Sequence, residues 1–304
     1  MVSPTDVFAA ARRIAGHVHR TPVLVSRTID ALLGAEIHFK CENLQRTGAF
    51  KIRGATNAVR SLPVDTEVVA THSSGNHGAA LALAAAEMGL RAIVVVPKDA
   101  RPSKRAAIER YGGEIAPCEP TLAARETTLE DVCRRTGATF VPPYDDERII
   151  AGAGTAALEL LEDCPGLDQT WVPVGGGGLA AGTVVAADGA AEVILGEPRL
   201  ACDAKLSLES GVLHEPLPPK TVADGLRTSL GRRNFDILRA AGTRVCLASE
   251  DGIRQWTRLL AAVMKIVIEP SAAVTLASIA ENPGVAQGRV GIILSGGNAT
   301  PEVG

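Results

Sequence analysis

The residues best suited to covalent chemistry lie in Gln45-Arg46-Thr47-Gly48-Ala49-Phe50-Lys51-Ile52-Arg53-Gly54-Ala55. Lys51 stands between Phe50 and Ile52, directly after a Thr-Gly turn and at the start of a helical pattern. An amine in apolar surroundings loses its preference for the charged form, because burial penalises the ammonium. A neutral amine attacks carbonyls, which is the requirement for a Schiff-base lysine. By itself the stretch also suits a lysine whose stem packs while its head reaches water.

Three turns offer ligands for such a lysine. Gly175-Gly176-Gly177-Gly178 follows an apolar run and opens a helix, so backbone N–H groups can approach an anion closely. It mimics a nucleotide loop through Gly177-x4-Gly182-Thr183, but without the lysine such loops carry. Gly176-x-Gly178-x-x-Ala181 also matches the dinucleotide fingerprint, with Glu197 nineteen residues past Gly178 where a ribose-binding acid would stand. From this segment alone a nicotinamide enzyme is a serious rival. Ser73-Ser74-Gly75-Asn76-His77-Gly78 brings hydroxyls, an amide and backbone donors to another helix start, which suits a substrate carboxylate or an ordinary N-cap. Ser295-Gly296-Gly297-Asn298 has the same dual reading. Glu197 and Asp203, six residues apart, could hold a hard divalent cation with a backbone carbonyl between them. His77 reads as a capping or core residue, not a base, and the remaining histidines show no metal-ligand spacing.

The elements that must position these residues alternate. Helices are expected at 5–16, from Lys51 to about 62, and at 79–88, 102–111, 121–136, 151–162 and 250–265, with another from Pro270. Strands are expected at 36–40, 68–71, 92–96, 114–116, 138–141, 171–174, 192–196, 244–247 and 290–294. Short apolar strands between helices specify an α/β architecture built on parallel sheets covered on both faces. The three turns then fall at the carboxyl ends of strands, where open α/β sheets place ligands.

Composition narrows the function class. A net charge of −3 without a polybasic block argues against nucleic-acid and membrane-surface partners. Arg101, Lys104, Arg105 and Arg110 read as a solvated helix face. The six cysteines form no C-x-x-C pair, which disfavours zinc and disulfides and fits the reducing cytoplasm. The amino-terminal residues show a helix-cap pattern instead of a secretory leader, and no apolar run reaches membrane-span length.

Taken together, the motifs resemble those of the serine/threonine dehydratase and serine racemase family, within the tryptophan-synthase-β-like, fold type II class of pyridoxal-phosphate enzymes. The resemblance runs from Thr21-Pro22-Val23-Leu24 to Leu294-Ser295-Gly296-Gly297-Asn298. It includes Phe39-Lys40-Cys41-Glu42, the lysine stretch, the two glycine- and serine-containing loops, Val222-Ala223-Asp224-Gly225 and Ile268-Glu269-Pro270-Ser271. It implies a two-domain α/β fold: a large cofactor-binding domain of residues 1–67 and 146–304, and a small inserted domain of 68–145. It assigns the glycine loop to a cofactor phosphate, which displaces the dinucleotide reading.

By that resemblance Lys51 links covalently to pyridoxal 5'-phosphate beside Phe50. Gly175, Gly176, Gly177 and Gly178 cradle its phosphate, Asn76 meets the ring hydroxyl and Ser295 the pyridine nitrogen. Ser73, Ser74, Gly75, Asn76 and His77 form the substrate-carboxylate loop, and Arg125 and Thr228 match substrate-touching positions. Ser74 matches the hydroxyl that exchanges a Cα proton in racemases. Glu197, the Ala201 carbonyl and Asp203 match a site for Mg2+, Mn2+ or Ca2+, and Glu269 an acid near the substrate. The implied activity is dehydration of serine or threonine in a cytoplasmic homodimer. The alternatives are racemisation of serine or aspartate, elimination from 3-hydroxyaspartate, and cofactor binding without turnover. One departure is Ala79, where many members have a glutamine that helps bind nucleotide in the animal racemase, so ATP activation is not expected.

Overall fold

The computed structural model describes residues 1–73, 75–215 and 220–299. The chain opens with α1 (Pro4–Ile14), β1 (Val23–Val25), α2 (Arg27–Leu33), β2 (Glu36–Cys41) and α3 (Lys51–Val59). A strictly alternating block follows: β3 (Val68–His72), α4 (Asn76–Glu87), β4 (Arg91–Pro97), α5 (Pro102–Arg110), β5 (Glu114–Cys118), α6 (Leu122–Thr136) and β6 (Thr139–Phe140). Then come α7 (Glu147–Asp163), β7 (Gln169–Pro173), α8 (Gly178–Ala187), β8 (Glu192–Pro198), α9 (Asp203–Ser210) and α10 (Arg232–Ala240). The last elements are β9 (Arg244–Ala248), α11 (Glu250–Met264), α12 (Pro270–Glu281) and β10 (Arg289–Leu294).

The strands form two sheets. Six run in the order β1-β2-β10-β7-β8-β9, and four in the order β5-β4-β3-β6. Every pairing between these strands is parallel except that of β1 with β2. β7 is buried along its whole length, and β4 and β10 at every position but the first, which is the pattern of strands covered on both faces. One face of the larger sheet packs Trp171, Ile194 and Ile292 against apolar residues of α11 and α12. The opposite face packs Val172, Leu195 and Ile293 against α7, α8 and α10. Ala-rich α4 lies between α3 and the smaller sheet, where Ala80, Leu81 and Ala84 meet Ile52 and Val69.

Most expected elements occur, with shifted ends. α4 begins at Asn76 instead of 79, because Gly75 already turns the chain into the helix. α7 begins at Glu147 instead of 151, since Asp146 caps it by accepting from the N–H groups of Arg148 at 2.8 Å and Ile149 at 3.4 Å. α3 stops at Val59, three residues before the expected end. The sequence pattern does not announce α2, α9 and α10. α2 is only seven residues long, held between the Ser26 cap and left-handed Gly34, too short to show helical periodicity. Among the described residues no helix is long and apolar enough to cross a membrane.

Candidate active site

Lys51 is the first residue of α3, and its Nζ donates to the Pro143 carbonyl at 2.8 Å. The rings of Phe50 and Tyr144 lie 5.1 and 6.0 Å from that nitrogen. Burial lowers the amine from its ordinary value to about 8, against a smaller opposing pull from Glu269. The expectation of a depressed lysine therefore holds, and its physical cause is the expected one.

The turn after β10 fixes the entry to α3. Phe50 N–H donates to the Ser295 carbonyl at 3.0 Å, and Gly297 N–H to the Gly48 carbonyl at 2.8 Å. Gly48 has φ +72°, and a Cβ there would run into Asn298, so both the turn and the close approach require glycine. Ser295, 3% exposed, thus sits at the carboxyl end of β10 next to the residue preceding Lys51.

The Gly175–Gly178 turn leaves β7 and enters α8 through Gly177, in the left-handed region at φ +88°. A Cβ on Gly175 would press to 2.9 Å from Leu226, and one on Gly176 would strike the Tyr144 ring. Gly231 N–H and Asn234 Nδ2 both donate to the Gly176 carbonyl, at 3.1 and 2.6 Å. With that carbonyl engaged, the helix offers its amino-terminal N–H groups, and no acid occupies the first turn of α8. Tyr144 touches this cradle, and its ring centre lies 6.0 Å from the Lys51 amine, so one ring borders both.

Asn76 opens α4 and faces the end of β10. Its Nδ2 donates to both Glu269 oxygens at 3.0 Å, and its Oδ1 accepts from Asn298 Nδ2 at 3.0 Å. Burial raises the Glu269 carboxyl to about 7, although the Asn76 amide works in the other direction. Ser73 Oγ accepts from Gly75 N–H at 3.3 Å. His77 is buried, with Nε2 3.2 Å from the Val141 carbonyl. Burial, and then the Lys51 charge, lower its pKa to about 3, so it stays neutral, as a core histidine should. Ser74 lies outside the described residues.

The other candidates scatter. Thr228 is exposed and adjoins the glycine cradle, its Oγ1 3.2 Å from where a Gly175 Cβ would stand. Arg125 lies on α6, partly buried, with no hydrogen-bond partner for its Nε among the described residues. Glu197 ends β8 and accepts from Ala204 and Lys205 N–H at 2.8 and 2.9 Å, while Asp203 accepts from Leu230 N–H at 2.9 Å. Burial raises both carboxyls, Glu197 to about 8. Among the described residues no three His, Cys, Asp or Glu side chains converge, so a cation there would rely on these two acids and the Ala201 carbonyl.

Sequence reasoning missed Tyr144 and Asn234, which shape the cradle from outside it. Pro142-Pro143-Tyr144 reads as a loop, and only folding shows what its ring and carbonyl face. Lys104 departs from the solvated face on which the sequence pattern puts it: its Nζ meets Asp224 Oδ2 at 2.5 Å.

The arrangement combines a partly buried amine of lowered pKa with a glycine-built anion cradle at a helix start. That set fits a phosphorylated aldehyde: Lys51 would take the aldehyde and Gly175–Gly178 the phosphate. The chain belongs to the pyridoxal-phosphate dependent enzyme family, whose model matches residues 14–296. It is 44% identical over 307 residues to a beta-hydroxyaspartate dehydratase of Paracoccus denitrificans, covering 98% of this chain and 97% of that one. The crystal structure of serine racemase from Dictyostelium discoideum superimposes with TM-score 0.92 and 42% identity, covering 98% of this chain and 99% of that one. The crystal structure of a T.th. threonine deaminase gives TM-score 0.93 and 40% identity, covering 98% and 99%.

Proposed function

We propose that the protein is a pyridoxal-phosphate-dependent dehydratase that converts a β-hydroxy amino acid, such as L-serine or L-threonine, to a 2-oxo acid and ammonia. The observation that carries this reading is the Lys51 amine, lowered to about 8 and held at the Pro143 carbonyl, with Tyr144 bordering both it and the glycine cradle. Bound pyridoxal phosphate supplies an aldehyde for the substrate amine and an electron-poor ring that weakens the Cα–H bond.

The chain's own residues do the rest. The cradle amides of Gly175–Gly178 would hold the phosphate, Asn76 would take the ring hydroxyl, and Ser295 would take the pyridine nitrogen without an acid's charge. The loop of Ser73, Ser74, Gly75, Asn76 and His77 receives the carboxylate at the start of α4, and Arg125 and Thr228 are assigned to substrate by the family resemblance. Displaced by substrate, Lys51 Nζ takes the Cα proton, for which a pKa near working pH is suited. The β-hydroxyl leaves as water on gaining a proton, and the released enamine hydrolyses to 2-oxo acid and ammonia.

Relatives named serine racemase and beta-hydroxyaspartate dehydratase support a second reading, in which Ser74 returns a proton to the opposite face or the substrate carries a second carboxylate. Purified holoenzyme incubated with serine, threonine and 3-hydroxyaspartate, and assayed for 2-oxo acid and D-enantiomer, separates these. No oxo acid from any of them sinks the dehydratase reading.

Three further features belong to the proposal. Residues 68–145 act as a unit that closes over the substrate. Glu197, the Ala201 carbonyl and Asp203 hold a divalent cation that offsets two buried carboxyls, so chelation should lower the melting temperature. The working form is a cytoplasmic homodimer, which sedimentation of the holoenzyme tests.

A further inference from the structure

Lys104 sits on α5, beside the smaller sheet, yet its side chain reaches Asp224 in the turn 224–226, joined at 2.5 Å across 120 residues of sequence. Both side chains are sheltered, 28% and 25% exposed, so the pair is partly withdrawn from water. The same Nζ lies 3.9 Å from the point where a Gly75 Cβ would stand. Gly75 puts no side chain of its own between the ammonium and the loop at the start of α4.

Other charges border this space. Gly225, next to Asp224, would place a Cβ 3.6 Å from Glu269 Oε1, and Glu269 in turn is held by Asn76 of the loop. One cation and two carboxyl groups thus rim the mouth of the loop. A zwitterion is complementary to that rim: its amine is drawn to the acids and its carboxylate to the ammonium. An ammonium has three N–H donors, and Asp224 Oδ2 engages one of them.

We propose that Lys104 is a substrate-binding residue whose ammonium, shared with Asp224 before substrate arrives, binds the carboxylate of the incoming amino acid at the 73–77 loop. This rests on the reading of that loop as the substrate-carboxylate site. The competing account is a strap that merely fastens α5 to the turn carrying Asp224, and the two differ in what each partner's removal does.

The test uses holoenzyme titrated with L-serine, L-alanine or ethanolamine, followed by the change in visible absorption of the bound cofactor. Ethanolamine keeps the amine and hydroxyl of serine and lacks its carboxylate. Loss of one charged hydrogen bond predicts that Lys104→Met weakens L-serine and L-alanine by roughly 10- to 100-fold. Ethanolamine should change by less than about threefold, because the contact it lacks is the one removed. Lys104→Arg should restore most of the affinity for the amino acids. Asp224→Asn, which leaves the ammonium free, should bind them as tightly as wild type or more so. Equal weakening by Lys104→Met and Asp224→Asn, equal weakening of serine and ethanolamine, or unchanged serine binding in Lys104→Met would each overturn the proposal. L-alanine has no leaving group, so its binding reports on Lys104 even if no β-hydroxy amino acid turns over. Failure of the dehydratase reading is thereby kept distinct.

Discussion

Two basic residues on one helix, partly buried Lys51 and fully buried Arg53, behave in opposite ways. Arg53 is 0% exposed and saturated with acid: it donates to both Glu42 oxygens at 2.7 and 2.8 Å and to both Glu159 oxygens at 2.7 and 2.8 Å. Lys40, also fully buried, joins through Glu159 at 2.7 Å and the Thr21 carbonyl at 2.8 Å. Burial alone would raise Glu42, but the Arg53 charge and its hydrogen bonds, aided by Thr21, hold that carboxyl below its ordinary range. Two residues earlier, among the described residues Lys51 bonds a carbonyl and the nearby Glu269 bonds the Asn76 amide, neither with an oppositely charged partner in contact. Their values move toward neutrality, to about 8 and about 7. Complete pairing makes buried charge an anchor, whereas incomplete pairing makes it reactive. One helix is thus clamped by its third residue, while its first is hydrogen-bonded to no acid among the described residues.

The largest expected effect comes from deleting the reactive side. Lys51→Ala should abolish the cofactor's visible absorption and lower turnover by at least about a thousandfold, since it removes both the covalent attachment and the proton carrier. An unchanged spectrum would refute the assignment. In the wild-type protein freed of cofactor, the amine must be neutral to attack. The rate of pyridoxal-phosphate uptake should therefore rise with pH through about 8, not through the ordinary lysine range. A midpoint above about 10 would place Lys51 in water.

The anchor should fail differently. Arg53→Met leaves Glu42 buried and unpaired, at an expected cost of about 3–5 kcal/mol in urea unfolding. A loss below about 1 kcal/mol would mean that water replaces the pair, and the contrast between Lys51 and Arg53 would collapse.

Glu269→Gln sharpens the comparison through pH. Because burial raises the folded carboxyl from 4.5 to about 7, the folded chain retains a proton that the unfolded chain releases. Stability should fall as pH rises across that window, by at most about 3 kcal/mol. The glutamine variant should flatten the slope between urea midpoints taken at about pH 5 and about pH 8. Retention of the full slope would assign it to another group. The smallest effect is at the cradle, where Gly176→Ala forces a methyl into the Tyr144 ring and should weaken cofactor affinity roughly tenfold or more, read by spectral titration.

Much of the site was legible because its pieces are local. A glycine run between strand and helix, a Ser-Gly-Asn helix start and a lysine flanked by apolar residues each carry their chemistry within a few positions. The alternation of short apolar runs with helices likewise specified the α/β layers, since strand and helix periods differ and burial on both faces leaves continuous apolar strands. A weakly periodic stretch hid α9, whereas α10 is clearly amphipathic but only nine residues long.

What the amino-acid order determined by itself was therefore the kinds of element and the groups able to act. Tertiary structure alone decided which charges are partnered. Arg53 and Glu42 are eleven residues apart, but Arg53 and Glu159 are 106 apart, Asn76 and Glu269 193, and Lys104 and Asp224 120. No period or motif spans such separations. Whether a lysine is an anchor, a gatepost or a nucleophile depends on the acids, carbonyls and water that the folded chain brings within a few ångströms of its nitrogen.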